Sequence, residues 1–415
     1  VIVVSAFMAP ASAAGAQTQL VSRFQGVDAV HGSSSTFGHT LSGDGQVAVF
    51  TVDDDALPGT DGTRDVYVRD RSRGQTHLVS KNSAGAPAEG SSSDSVTISQ
   101  DGRFVAFSVD ADNLPGGIGT EDVYLRDLQT GKTLLVSKTS SGGVLDGDSN
   151  DPSISSAGRF VGFHSDADVL PGDDAVGNVY LRDRKTGITR LVSKSSTGDP
   201  ATGESDLPSL SADGSKVSFQ SQANNLPGPD DQARVFVHNF QTGTTRLVSK
   251  TSDGQVLDAG SLASIGSMSA NGGFVVFESD ATNLPGDDTV TDVYLHDLAT
   301  GTTRLMSKSS AGTPGDDGSF LPSVSGNGRF VAFESDAGNL GGGASGFIDV
   351  FIHDRETGST RLISRATSGD AGDADSFYAT VSADGRFVAF TSRSDNFSTS
   401  DDNDVSNAFV RGPLQ

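Results

Sequence analysis

The sequence predicts an all-β fold: a seven-bladed β-propeller with four antiparallel strands per blade, the last blade completed by an N-terminal strand. Three observations predict it. The motif S-x-D/N-G, written S-S-A-G in the third copy, places its glycine at Gly45, Gly102, Gly158, Gly214, Gly272, Gly328 and Gly385, in steps of 56 to 58 residues, so the chain is seven copies of one unit. Each copy holds four short β-type runs, enough for one blade. The seventh copy stops after its third run, "NAFVRG", while a spare fourth run, "TQLVSR" (Thr18 to Arg23), precedes the first copy. Pairing these two closes the ring and removes both open edges.

The inner strands start near residues 40, 97, 153, 209, 267, 323 and 380. They carry one hydroxyl column at those positions (Thr40, Thr97, Ser153, Ser209, Ser267, Ser323, Thr380) and a second two residues later (Ser42 to Ser382). Small side chains are required where seven sheets crowd toward an axis. An Asp/Asn-Gly turn then leads to the second strand. That strand brings one phenylalanine per copy (Phe50, Phe107, Phe163, Phe219, Phe277, Phe333, Phe390), each worth roughly 1.5–3 kcal/mol when buried between sheets. The third strand adds Tyr67, Tyr124, Tyr180, Phe236, Tyr294, Phe351 and Phe409 as a second core column. Asp70, Asp127, Asp183, Asn239, Asp297 and Asp354 open the turn into the fourth strand. Both tight turns share one face of the ring. The two long connections of each copy share the other, which is the candidate functional surface.

Residues 1–13, ending in Ala11-Ser12-Ala13, read as the apolar core and cleavage site of an export signal. This leaves 14–415 as a single propeller, expected to be secreted or periplasmic. No run approaches the roughly 18 apolar residues of a membrane span, so no membrane insertion is expected. The formal charge of −24 and pI near 4.4 repel phosphate backbones and anionic lipid, which argues against nucleic acid as a partner. The absence of cysteine excludes disulfides, thiolate metal sites and cysteine nucleophiles.

The run "S-x-D-G-R-F-V-A-F" followed by "D-V-Y-L-R-D-x-x-T-G-x-T-R-L-V-S-K" resembles the WD40-like repeats of TolB-type propellers of exported bacterial proteins, over all seven copies. The resemblance implies the propeller. The seven copies and the closing strand account for almost the whole mature chain, so neither the N-terminal α/β domain of TolB nor an attached peptidase domain is expected within it.

On the candidate face, Asp53, Asp110, Asp166, Asp280 and Asp336 form one acidic column, broken by Gln222 and Arg393. Asp65, Asp122, Asn178, Asp292, Asp349 and Asn407 form a second, broken by Arg234. Hard cations need several oxygens brought together, and Asp110, Asp112 and Asp122, or Asp280 and Asp292, are the calcium ligands these loops offer. The competing expectation is that such residues cap loop amides. His238, His296 and His353 share a column with arginines and read as exchangeable surface cations. His39 and His164 are singular, His164 standing where other copies write the Glu of "FESD". At the entry to the inner strand, Phe37, Phe320 and Phe377, with Tyr378 and Leu321 beside them, are expected to form an apolar patch at the channel mouth, with His39 nearby, for a peptide or protein. No serine stands in a nucleophile-elbow setting, and no catalytic residue is assigned.

Two main functions follow. A monomeric, non-catalytic binding or scaffold propeller would present its acidic face to a protein or peptide. Alternatively, the chain is an extracellular polysaccharide hydrolase or lyase, because carboxylate pairs abound; the lack of tryptophan leaves few platforms for carbohydrate. Convergence of His39, His164 and an acid in one pocket would favour catalysis, whereas a smooth acidic ring would favour binding. A calcium-binding propeller is compatible with either.

Overall fold

The computed structural model describes residues 15–24, 32–53, 62–172, 176–228, 232–264, 266–286, 290–343, 346–398 and 405–414. Residues 1–13, which the sequence reads as an export signal, lie outside these ranges. The described residues build seven four-stranded antiparallel sheets, with sequence-adjacent strands as spatial neighbours. Blade 3 is representative, with strands Ser149–Ile154, Phe160–Ser165, Asn178–Asp183 and Ile188–Leu191 from the axis outward. Blade 7 takes three strands from the C-terminal end, Ser376–Val381, Val388–Ser392 and Asn407–Gly412, and its outer strand, Gln17–Leu20, from the N-terminal end. The pairing runs Gln17 to Gly412 through Leu20 to Phe409. No helix among the described residues is long and apolar enough to cross a membrane.

The two aromatic columns sit directly opposite each other on neighbouring strands, as in Phe163 with Tyr180 and Phe277 with Tyr294. Their ring centroids are 5.8 and 5.7 Å apart, and every ring of both columns is buried. Because the phenylalanine points between sheets, each blade's core joins its neighbour's; one apolar cluster runs from Val66 and Val68 of blade 1 to Phe107 and Tyr124 of blade 2.

Two further devices tie the blades together. At the tight-turn end of the axis, backbone hydrogen bonds cross every seam: Gly43 N to Gln100 O, Asp101 N to Ser156 O, Ser156 N to Ala212 O, Ala212 N to Ala270 O, Asn271 N to Gly326 O, Gly326 N to Ala383 O and Asp384 N to Gly43 O. Six of the seven residues in this column are small (Gly43, Ser156, Ala212, Ala270, Gly326 and Ala383), which lets the backbones approach, and Gln100 is the larger one. Nearer the rim, a fourth-strand threonine donates to a backbone carbonyl of the preceding blade at every seam, as Thr133 does to Lys81, Thr189 to Lys138 and Thr18 to Arg365. The same hydroxyls in blades 1, 4, 5 and 6 reach Arg23, Lys194, Lys250 and Lys308.

The histidine column corrects one expectation. His238, His296 and His353 are 1–2% exposed, so they are not surface cations. Each Nδ1 lies 2.8–2.9 Å from the seam threonine, Thr245, Thr303 or Thr360. In the arginine copies, Arg126 and Arg182 donate to the equivalent Thr133 and Thr189. The two residue types share a column because both serve the latch, not because both face water.

Candidate functional site

Where the inner strand leaves the long-loop face it carries a bulge. The register slips between Asn150 and Ser153, Asp206 and Ser209, Phe320 and Ser323, and Phe377 and Thr380. The residue that turns the bulge has positive φ without being glycine: Asp151 (49°), Leu207 (50°), Leu321 (46°) and Tyr378 (58°). Such backbone costs on the order of 1–3 kcal/mol and re-aims the side chain that bears it. At several seams the second strand of the preceding blade reaches across to this segment. Glu278 accepts from Leu321 N at 2.6 Å and Glu334 from Tyr378 N at 2.9 Å, while Gln220 accepts from Ala263 N at 3.0 Å. The glutamate of "FESD" is therefore a seam residue.

His164 occupies that position in blade 3 and does something different. Its Nδ1 lies 3.0 Å from Asn150 Oδ1, and its Nε2 lies 2.9 Å from Glu204 Oε1 of blade 4 and 3.4 Å from Asp166 Oδ1. With Asn150 accepting the Nδ1 proton, Nε2 faces the two carboxylates. Glu204 also accepts from Gly177 N at 3.2 Å. Among the described residues, this is the group of His, Asp and Glu whose three ligand atoms all lie within 4.8 Å of one another. Gly177 is part of the construction: a Cβ there would run into Glu204 Oε1, His164 Nε2 and Asp166 Oδ1 together, so any side chain would fill the space among them.

More carboxylates press on the same seam. Burial pushes Asp206 up to about 6, with Asp151 and Glu204 adding repulsion. Burial likewise raises Asp151, which faces His164, whereas Glu121, also raised by burial, belongs to the neighbouring seam between blades 2 and 3 beside Asp148 and Asp151. Burial opposes protonation of His164, but Glu204, Asp166 and Asp151 outweigh it and hold its pKa above the ordinary value. Uncompensated negative charge at a half-buried seam attracts a cation.

The acids singled out from sequence lie elsewhere. Asp122 and Asp292 are buried and accept hydroxyl hydrogen bonds from Ser137 at 2.7 Å and Ser307 at 2.6 Å, which fasten third strand to fourth. Asp110, Asp112 and Asp280 are exposed in the loops. These five are not brought into a three-ligand group. His39 lines a narrow axial cavity with Ile98, Ser153 and Met268, apart from His164. The aromatic patch forms in part: Phe37 and Phe377 pack on Tyr378 with centroids 5.3 and 5.0 Å away, whereas the Phe320 ring lies over its own Gly318. Sequence reasoning marked His164 as singular and placed Asp166 in its column but missed Glu204 and Gly177.

No family model and no curated protein matches the sequence. Among solved structures, the chain is similar to an oligogalacturonate lyase in complex with manganese, at 11% identity and a TM-score of 0.58, covering 96% of this chain and 97% of that one. It is also similar to the β-propeller domain of the Trilobed protease from Pyrococcus furiosus, at 10% identity and a TM-score of 0.54, covering 91% and 95%. A putative TolB from Agrobacterium tumefaciens matches at 17% identity and a TM-score of 0.42, over 66% of this chain and 80% of its own. What the chain shares with the first two of these proteins is the fold, a β-propeller, which in this chain has seven blades.

Proposed function

We propose that the protein is a non-catalytic binding propeller that holds a divalent cation on its long-loop face, between blades 3 and 4, and anchors a protein or peptide partner there. One observation carries this reading. Aligning the seven seams by strand register, His164 stands where the other copies have Thr, Ser, Gln or Glu. Gly177 stands where they have Arg64, Glu121, Ala233, Thr291, Ile348 and Ser406, and Glu204 where they have Ser33, Ser91, Asp148, Gly260, Gly318 and Asp375. A histidine that no other copy carries, the one glycine of a variable column and the one glutamate of a column that elsewhere has an acid only at Asp148 and Asp375 meet at one point, beside the Asp166 that the repeat itself supplies. Folding alone does not require that coincidence.

An imidazole with two carboxylates suits manganese or zinc better than calcium, which prefers an all-oxygen shell. Three protein ligands leave coordination positions for a partner's carboxylate or carbonyl. The test is a melting curve of the wild type, Glu204→Gln and Gly177→Ala in manganese, zinc, calcium or chelator. The expected result is a wild-type midpoint raised by manganese or zinc and no rise in either variant. A rise with calcium alone would return the site to the Asp-rich loops, and no rise with any ion would remove the cation from the proposal.

The lyase reading is kept because His164 does converge with acids, and because one structure similar over nearly the whole chain is an oligogalacturonate lyase in complex with manganese. His39 standing apart and a net charge of −24 toward a polyanionic substrate weigh against it. Unsaturated product from oligogalacturonate incubated with the manganese-loaded protein would replace binding with catalysis.

A further inference from the structure

The seam between blades 7 and 1 repeats the geometry of the cation seam with the charge inverted. Arg393 stands in place of Asp166, Thr391 in place of His164, Ser406 in place of Gly177 and Ser33 in place of Glu204. Every acid and base of the first site is exchanged for a cation or a hydroxyl. An open cavity of about 260 Å³ lies here, lined by Ser33, Ser34, Ser406, Arg64, Arg393, Phe377 and Tyr378, with Asp94 at its side.

Its two arginines differ in what they are free to do. Arg64 is held between Asp53 at 2.7 Å and Asp94 at 2.5 Å. Arg393 is exposed, lies 5.7 Å from the Phe377 ring centroid, and has no carboxylate partner among the described residues. Ser34 is 2% exposed and lines the cavity, and its hydroxyl has no hydrogen-bond partner among the described residues because Val52 stands opposite it where five other blades have a serine, as Val109 stands opposite the equally unpaired Ser92; this leaves the Ser34 hydroxyl available to a ligand. A buried hydroxyl left unpaired costs about 1–3 kcal/mol unless something fills the place.

We infer that this seam is a carboxylate-binding pocket that takes the free C-terminus of a peptide, with Arg393 pairing the carboxylate, the Ser34 hydroxyl completing its hydrogen bonds, and the Phe377 and Tyr378 rings receiving the last side chain. Charge decides between a peptide terminus and an acidic glycan. A polyuronide brings a negative charge on every sugar to a chain of net charge −24, whereas a peptide terminus brings one and places it on the arginine. The inference goes beyond the cation site and does not depend on it.

The experiment uses the full chain in chelator, so that failure of the cation site cannot affect it. Its probes are fluorophore-labelled Ala-Ala-Leu with a free C-terminus, the same peptide as its C-terminal amide, and trigalacturonate as competitor. The free acid is expected to bind, with the amide weaker by about tenfold or more. Arg393→Asp, which installs the residue that five other copies carry at this position, should abolish binding without moving the melting midpoint. Ser34→Ala should weaken it several-fold. Equal binding of acid and amide, or no binding at millimolar peptide, overturns the inference. So does Arg393-dependent binding of trigalacturonate in the absence of peptide binding, which would assign the pocket to acidic sugar. Should Arg393→Asp fail to fold, the comparison of acid with amide on the wild type still decides.

Discussion

At His238, His296 and His353 the hydrogen bonding determines which ring nitrogen carries the proton. The single hydroxyl proton of Thr245, Thr303 or Thr360 is spent on the carbonyl of Lys194, Lys250 or Lys308. The oxygen can therefore only accept from the ring, so Nδ1 is protonated and Nε2 is bare. Burial, reinforced by the nearby lysine, pushes all three pKa values down to about 4. The folded state thus binds fewer protons than the unfolded state between pH 6.5 and about 4. Stability from this column is fully present above 6.5 and declines as pH falls through that window, by roughly 1 kcal/mol per pH unit for each histidine. Glu334, raised to about 7 by burial, acts in the opposite sense over an overlapping range, so the wild-type profile alone cannot isolate the histidines. The informative variant is His296→Arg, because Arg126 and Arg182 already serve the same latch. Its melting midpoint relative to wild type should rise steadily from pH 7 to pH 4.5. A constant difference across that range would mean that His296 does not titrate on unfolding.

The blade is set by its turns as much as by its aromatic columns. Gly158 turns at φ 67°, and a Cβ there would run into the Phe104 ring of blade 2. Gly301 turns at φ 73° in blade 5 with nothing within 4 Å of its missing Cβ. Gly301→Ala should cost only backbone strain, about 1 kcal/mol, whereas Gly158→Ala should cost that plus displaced packing, about 2–4 kcal/mol in all. Equal losses in denaturant titrations would show that the turn glycines do not transmit packing between blades. The glycine spacing, the two aromatic columns and the spare strand were all legible in the sequence, because each is a repeated solution to one packing problem. The His164 group at the 3–4 seam was legible only through His164 as a singular residue and Asp166 as a member of its acidic column. Gly177 and Glu204 sit just outside strands of different blades, 27 residues apart, and only the register that stacks blade 3 on blade 4 makes them neighbours. The same limit applied to the buried histidines: a column shared with arginine says that a donor is needed, not whether it faces water.

Across the whole molecule, the axial belt and the rim threonines make every seam alike, and that uniformity is what makes the departures at the 3–4 and 7–1 seams informative. It also locates where the ring can open. In blades 1 to 6 the chain runs continuously through all four strands, but blade 7 is joined at its outer strand only by non-covalent contacts. Those contacts are the pairing of Gln17–Leu20 with Asn407–Gly412, the Thr18 hydroxyl on Arg365 O at 2.5 Å, Arg411 donating to Thr18 at 2.6 Å, and the Ser22 hydroxyl on Asn407 at 2.8 Å. Removing residues 1–23 would leave Asn407–Gly412 as an unpaired edge beside buried Phe409. Such an edge recruits other chains, so the truncated protein should melt lower, by roughly 5 °C or more, and should associate as its concentration rises. A peptide spanning residues 15–24 should restore both the midpoint and the association state of the full chain, since it replaces the strand without altering the rest of the ring. A truncated protein that melts like the full chain and keeps its association state would show that the belt at the axis, rather than the strand at the rim, holds the propeller closed.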